Sequence, residues 1–595
     1  MSSWTEAFCP MKDHTLSPGP RTKKVAIAGI VAIIAIAVMI SISAWPDLYG
    51  FAADRDGAWW ERLLSTPVHL SDDVMISLRS GSILGQTGHP AFNRQDLAQA
   101  STSYASPYLY ALLSKFFAVN VAVLLYAFLG MLSVALTASI IYLYSRSGLN
   151  ALVLIASLLL STTSIKYSLQ GWDHLFQALF LVIGASLFLR TNLSRTSLIS
   201  ISSCLAIACL WRPDALLFSL VVLACLFREI RKKRDWLFFG VLPFIAVLLP
   251  FLIEGITIFG HITPTTARLK VGASPSIAYS IQYLIKNGLM QFSAITLVVA
   301  LAVVYVAFLA RSASLRCHAL VLSAMLTSLA SAVNSDHFIA GRMFWGPACV
   351  LAVVCSSLAP PIASINQQAS IEQPGRARMP RVDKLSVLFH RTTTLQWRPL
   401  LVALSLIAVI CSGSNIVQRT KSAVISIKEV PVSATASQYV LTRWIDQHLD
   451  PANGPIGFFY LGLSFHLDRF EIADFLGKAD ELIARSRVNW GPPGHNKWDI
   501  SATLEKWKPQ AIVPAGPSDF SDRDVLARAR GRLMVREDFG FAPALIINPH
   551  VSKGYNYCHV RPFRSGLKDE WGLFLRKDIA KTVGDAATCR ESAWP

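Results

Sequence analysis

From residue 24 to about residue 416 the chain alternates apolar blocks of roughly 17–25 residues with short charged connections. A helix needs about 20 apolar residues to cross ~30 Å of hydrocarbon, and in lipid a helix satisfies its own backbone. Such a pattern excludes an ordinary soluble fold. Of the 595 residues, 53% are hydrophobic and 15% charged, whereas soluble domains carry about a quarter charged residues. The expected fold class is a polytopic α-helical membrane protein. Helices are expected near 24–45, 119–145, 149–166, 174–190, 196–212, 214–228, 236–254, 291–310, 317–333, 343–363 and 399–416, eleven in all. The first block follows Lys12, Arg21, Lys23 and Lys24. It is longer than the apolar stretch of about 7–15 residues in a cleaved signal peptide, so it reads as a retained anchor.

The formal net charge of +18 does not point to nucleic acid, because of where the charge lies. "LRTNLSR" (189–195), "REIRKKR" (228–234), "RSASLRC" (311–317) and the Arg-rich loop 376–398 fall between apolar blocks. They read as cytoplasmic loops that set orientation, with anionic lipid as their partner. The expected domains are a cytoplasmic tail (1–23), a transmembrane domain (24–416) whose first outer loop is 46–118, and an extracytoplasmic α/β domain (417–595). The tail domain alternates strand-like runs such as "PIGFFYLGL", "QAIVPAG" and "ALIINP" with helical ones. Of ten cysteines only Cys558 and Cys589 lie in the tail domain, where export favours pairing them.

With the N-terminus inside, the unusual polar residues collect on the outer face. They are Asp72, Asp73, Asp173, His174, Arg212, Asp214, His261, Lys270, Asp336, His337 and Arg342. Taken singly, each reads as a pair bracing two helices, Arg212 with Asp214 for example. Ser71, Asp72 and Asp73 are also good helix-capping residues. Taken together on one face, costly ionisable groups favour a site. Residues 104–118 read either as a membrane-surface helix or as the start of the second span. Trp490, Trp498, Trp507 and His495 in the tail domain read as acceptor-binding residues or as core.

Several segments in order resemble the GT-C superfamily of polytopic glycosyltransferases, which use lipid-phosphate-linked sugars. "DDVMISLRSGSILGQTGHPAFN" and "SYASPYLYALL" are similar to the first outer loop of the mycobacterial terminal arabinofuranosyltransferase and pilin arabinosyltransferase branch. Here "GHP" stands for that branch's Gly-His-Gly, and Ala105 for its Thr. "LQGWDHLFQALF" carries Asp173 where the branch has a glutamate, and "LWRPDALLF" matches its Arg-Pro-Asp/Glu turn. "FGHITPTTARLK" stands for Gly-x-x-x-Pro-Asn-Thr with a downstream Lys. "NSDHFIAGRMFWGP" stands for Gly-Gly-Asp-His and a following Arg, with both glycines missing. In the tail, "IADFLGKADELIARSR" and "GPPGHNKW" resemble Asp-x-x-Gly-Leu-x-Asp and Gly-His-x-Lys segments.

The resemblance implies a location in a bacterial inner membrane and transfer of a sugar, D-arabinofuranose foremost, from a polyprenyl (decaprenyl) phosphate to a hydroxyl of an envelope glycan or pilin-like protein. Asp72 or Asp73 is then the general base, Asp72 leading, because related enzymes use the first carboxylate of this loop. The phosphate is expected on Arg342 and Lys270, then Arg212 and His337. Asp173, His174, Asp336, His261 and His495 are expected to position acceptor or sugar. Two neighbouring carboxylates are not expected to face one point from a helix, so the second is given to acceptor orientation, capping or a divalent cation, Mg²⁺ or Ca²⁺. No cofactor is otherwise expected. The alternatives are a mannosyl or other hexosyl transferase, a lipid-linked-sugar flippase and a non-catalytic envelope subunit.

Overall fold

The protein is described from a computed structural model, which covers residues 70–145, 148–159, 161, 167, 171–190, 193–230, 232–270, 293–310, 313–333, 341–358, 434–487, 497–513, 545, 548–560 and 571–590. The first described helix, α1 (Asp72–Thr87), begins after an extended Ser71 and places Asp72 and Asp73 in its first turn, where carboxylates complement the helix dipole. The Ser71 hydroxyl makes no capping bond.

Next come α2 (Ala105–Phe116), α3 (Val119–Tyr144), α4 (Gly148–Leu159), α5 (Asp173–Phe188), α6 (Arg195–Trp211) and α7 (Ala215–Glu229). They are followed by α8 (Lys233–Phe259, with a π segment at Trp236–Val241), α9 (Thr265–Lys270), α10 (Ala294–Val304), α11 (Leu315–Val333) and α12 (Trp345–Leu358). Nine of the eleven expected helices thus fall on described helices, while 24–45 and 399–416 lie outside the described residues. Among the described residues, three helices are long and apolar enough to cross a membrane: α3, α8 and Leu315–Ala332 of α11. α5, α6, α10 and Arg342–Leu358 are apolar but shorter. α2 is a helix of its own, separated from α3 by an extended Phe117, and it leaves Leu112 and Phe116 exposed. Residues 105–116 thus form a helix separate from α3 rather than its first turns.

The C-terminal region pairs helices with one six-stranded sheet. Its helices are α13 (Ala434–His448), α14 (Glu481–Ala484), α15 (Ile500–Trp507), α16 (Pro549–Gly554) and α17 (Lys577–Thr582). The strands are β1 (Ile456–Phe458), β2 (Ile472–Asp474), β3 (Ala511–Val513), β4 (Tyr555–Val560), β5 (Trp571–Arg576) and β6 (Ala587–Arg590), ordered β2-β1-β3-β5-β4-β6. β1 runs parallel to β2 and β3, and the remaining pairs are antiparallel. Cys558 and Cys589 face each other across β4 and β6 and form the expected disulfide.

What positions the site is the way residues 70–104 are built into this domain. Ile76, Phe92 and Ala100 share a core with Trp444, Phe458, Leu463 and Ile472. Arg79, 1% exposed, donates to the carbonyls of Phe92, Ser464, Leu467 and Phe470. Its fork gives the buried Phe92 and Phe470 carbonyls a partner and adds a second donor to those of Ser464 and Leu467, which already accept from the Leu467 and Phe470 N–H groups. The Asn93 amide exchanges two hydrogen bonds with Ile472, continuing the sheet edge beyond β2. α1 is thus clamped between the apolar bundle, which takes Val74, Met75 and Leu78, and the C-terminal domain.

Candidate active site

The two loops at the carboxyl ends of parallel β1 and β2 reach back to the start of α1. In open α/β sheets this edge is where ligand crevices form. After β1, the Gly462 N–H donates to Asp72 Oδ1 at 2.6 Å. A Cβ on Gly462 would sit 2.6 Å from the Asp72 Cα, so only glycine permits that approach. After β2, the loop Asp474–Asp480 ("DFLGKAD") is wound tightly about its own polar groups. The Asp474 carboxylate accepts from the Leu476 and Ala479 N–H groups. Gly477 takes φ 73° where a Cβ would meet the Ala484 nitrogen at 2.7 Å. Asp480 caps α14 and accepts from Lys506 and the Trp507 indole.

That loop aims Lys478, 5% exposed, at α1. Its Nζ lies 2.8 Å from Asp72 Oδ2 and 3.3 Å from Asp73 Oδ1. Burial disfavours the ammonium, but the two carboxylates outweigh it and hold its pKa above the ordinary lysine value. The remaining oxygen, Asp73 Oδ2, accepts from Arg342 Nη2 at 2.9 Å. Arg342 stands in the turn before α12, with its guanidinium 4.0 Å from the Trp172 ring centroid. Both aspartates therefore do converge on one point, contrary to the expectation for neighbouring helix residues. They occupy the first turn, where no preceding turn blocks a cation from sitting between the side chains. Their side chains stay 30% and 26% exposed, leaving an open side.

A second charged group lies alongside. Arg212 pairs with Asp173 at 3.0 Å and with Asp214 at 3.3 Å, and also touches Met343. Gln177 donates to Asp214 at 2.6 Å. The Asp173 carboxylate also accepts from the His174 backbone N–H, and the His174 ring is fully buried beside Tyr167 and Trp172. Arg212 thus makes the expected bond to Asp214 and a further one across the bundle to Asp173. His261 is farther out, 3.5 Å from Glu481, a residue that also pairs with Arg268. Lys270 ends α9, and its side chain lies outside the described residues, as do Asp336, His337, His495 and Trp490. Trp507 serves the Asp480 network, and Trp498 packs against the core that holds Phe459 and Leu504.

Lys478 is the residue that sequence reasoning missed. A signal existed: in "IADFLGKAD" it stands where the resembling segment has leucine. A single lysine in a long chain carries no weight until the fold sets it between two aspartates.

Two crystal structures of ArnT from Cupriavidus metallidurans are similar in overall course. The one bound to undecaprenyl phosphate is 14% identical over 77% of this chain and 87% of its own, with a TM-score of 0.45. The apo form is 13% identical over 85% and 95%, also at 0.45. An Archaeoglobus fulgidus oligosaccharyltransferase complex with Zn and sulfate is 12% identical over 92% of this chain and 76% of its own, again at 0.45. No protein-family model and no curated protein matches the chain.

Proposed function

We propose that this chain is a membrane glycosyltransferase that moves D-arabinofuranose from a decaprenyl-phosphate donor to a hydroxyl of an envelope glycan or pilin-like protein. The observation that carries the reading is the Asp72–Asp73 pair, partly open to solvent and braced by Lys478 and Arg342 where the helical bundle meets the exported domain. The choice of arabinose rests on the sequence segments alone.

The chemistry suits these groups. The acceptor oxygen attacks the anomeric carbon, and the bond from that carbon to the phosphate oxygen breaks with its electron pair. The acceptor proton passes to an aspartate carboxylate, and polyprenyl phosphate leaves without needing a proton. Asp72 is the base. Its Oδ1 and Oδ2 each take one donor from the protein, which leaves lone pairs on the exposed side for the acceptor. Arg342, stacked on Trp172, presents a planar fork suited to the phosphate as its charge grows. Arg212, locked by Asp173 and Asp214, holds the turn beneath. The exposed apolar side of α2 offers the lipid chain a surface at membrane level. The disulfide fits an exported C-terminal domain.

The test is transfer by the purified full-length protein in lipid nanodiscs, with decaprenyl-phosphate arabinofuranose and decaprenyl-phosphate mannose run side by side. An arabinan oligosaccharide and a Ser/Thr peptide serve as acceptors. Transfer from the arabinose donor, lowered about 100-fold or more by Asp72→Asn, is the expected result. Transfer from the mannose donor alone overturns the sugar. No transfer from either, with donor lipid still bound, overturns the enzyme.

A further inference from the structure

All four carboxylate oxygens of the aspartate pair already have a donor from the protein. Asp72 Oδ1 has the Gly462 N–H, Asp72 Oδ2 and Asp73 Oδ1 share Lys478, and Asp73 Oδ2 has Arg342. Two carboxylates face one ammonium and one guanidinium, so the cluster balances its own charge. A divalent cation bridging the pair would need oxygens at about 2.0–2.6 Å, in the space where the Lys478 Nζ stands. The two cations cannot share it, and adding the metal beside Lys478 and Arg342 would leave the cluster with an excess of positive charge next to two buried cations. The pair does not fit a metal.

We infer that Lys478 fills the place of a divalent cation between Asp72 and Asp73, so that the C-terminal domain supplies the counter-charge of the active site and transfer needs no metal. The inference deepens the reading above and rests on its placement of the site, though not on the sugar. Lys478 is a positioning residue: it touches the base, not the substrate. The loop that carries it explains why it holds its place. Asp474 ties two N–H groups of the loop, Gly477 turns it, and Asp480 anchors its end to Lys506 and Trp507. A mobile surface lysine could not act as a fixed counter-ion. This one is buried on a short tether.

The experiment titrates the full-length protein in nanodiscs with Mn²⁺ and reads free Mn²⁺ by electron paramagnetic resonance, with sugar transfer followed in parallel. In the wild type, Mn²⁺ binding is expected to be the same with and without Asp72→Asn, and transfer to be unchanged by EDTA. Lys478→Gln vacates the space: it is expected to gain one Mn²⁺ site that disappears again in the Lys478→Gln/Asp72→Asn double variant. Its transfer should fall at least 30-fold, with Lys478→Arg restoring most of the loss. Wild-type Mn²⁺ binding abolished by Asp72→Asn, or EDTA inhibition reversed by Mg²⁺, overturns the inference. So does a folded Lys478→Gln protein with full activity and no new site. The wild-type arms hold even if Lys478→Gln fails to fold. Because Mn²⁺ binding is read without turnover, failure of the glycosyltransferase reading and failure of this one are seen separately.

Discussion

Arg79 and Arg342 are both almost wholly buried, at 1% and 3% exposure, and their surroundings differ in kind. Arg79 spends its donors on four neutral backbone carbonyls and lies against Phe92, closing the joint between α1 and the C-terminal domain. Arg342 lies on Trp172 and reaches one carboxylate of a pair that remains open to solvent. A buried cation on carbonyls holds structure. A buried cation on a half-open carboxylate stands where a ligand can reach it, and under the proposed function that is where charge changes during transfer. The contrast separates two arginines that burial alone would rank together.

The largest effect should come from the structural arginine. Arg79→Leu strips the Phe92 and Phe470 carbonyls of their Arg79 donor and weakens the bonding at Ser464 and Leu467, and is expected to cost on the order of 4 kcal/mol, a fall in Tm of about 10 °C, read by thermal denaturation in detergent. An unchanged Tm would break the distinction. Arg342→Gln should do the reverse, lowering transfer about 100-fold, near 2.7 kcal/mol in the barrier, while changing Tm far less than Arg79→Leu. Weaker still, Trp172→Leu removes the ring beneath Arg342, an interaction worth about 1 kcal/mol. Transfer should fall roughly fivefold, whereas Trp172→Phe retains most of it.

The smallest effect is a pH dependence. Burial pushes the Asp474 carboxyl up to about 7, against the pull of its two backbone N–H donors. The folded state then holds this proton more tightly than the unfolded one. Its contribution is full below about pH 4, is lost as pH rises to about 7, and is flat above. Melting at pH 5 should exceed melting at pH 8 by a few degrees, and Asp474→Asn should shrink the difference. If the gap persists in the variant, Asp474 is not its source.

Much of the frame was legible. Apolar blocks gave the positions of α3 to α8 and α10 to α12, because a block long enough to span hydrocarbon has few alternatives to a helix. Asp72, Asp73, Arg342, Asp173 and Arg212 were all singled out, and the fold brings them into two adjoining charged groups. The sequence reading ranks Arg342 ahead of Arg212 for the phosphate and offers Asp214 as a partner of Arg212; it does not show that Asp173 also closes on Arg212 or that Arg342 reaches the half-open pair. Arg79 and Asn93 belong to a segment read for its chemistry, and they turn out to fasten that segment to the sheet.

By itself the sequence determined the class, an apolar helical chain followed by a region that carries a sheet, and it singled out Asp72, Asp73, Asp173, Arg212 and Arg342. Periodicity and apolar length are local properties, and they survive in a linear reading. Only the tertiary structure decided that Gly462 and Lys478, some 390 and 406 residues beyond Asp72, complete its carboxylate. Such pairings depend on which strand ends come to face the first turn of α1. No local pattern encodes them, because the energy that selects them is the burial of the whole joint between bundle and sheet.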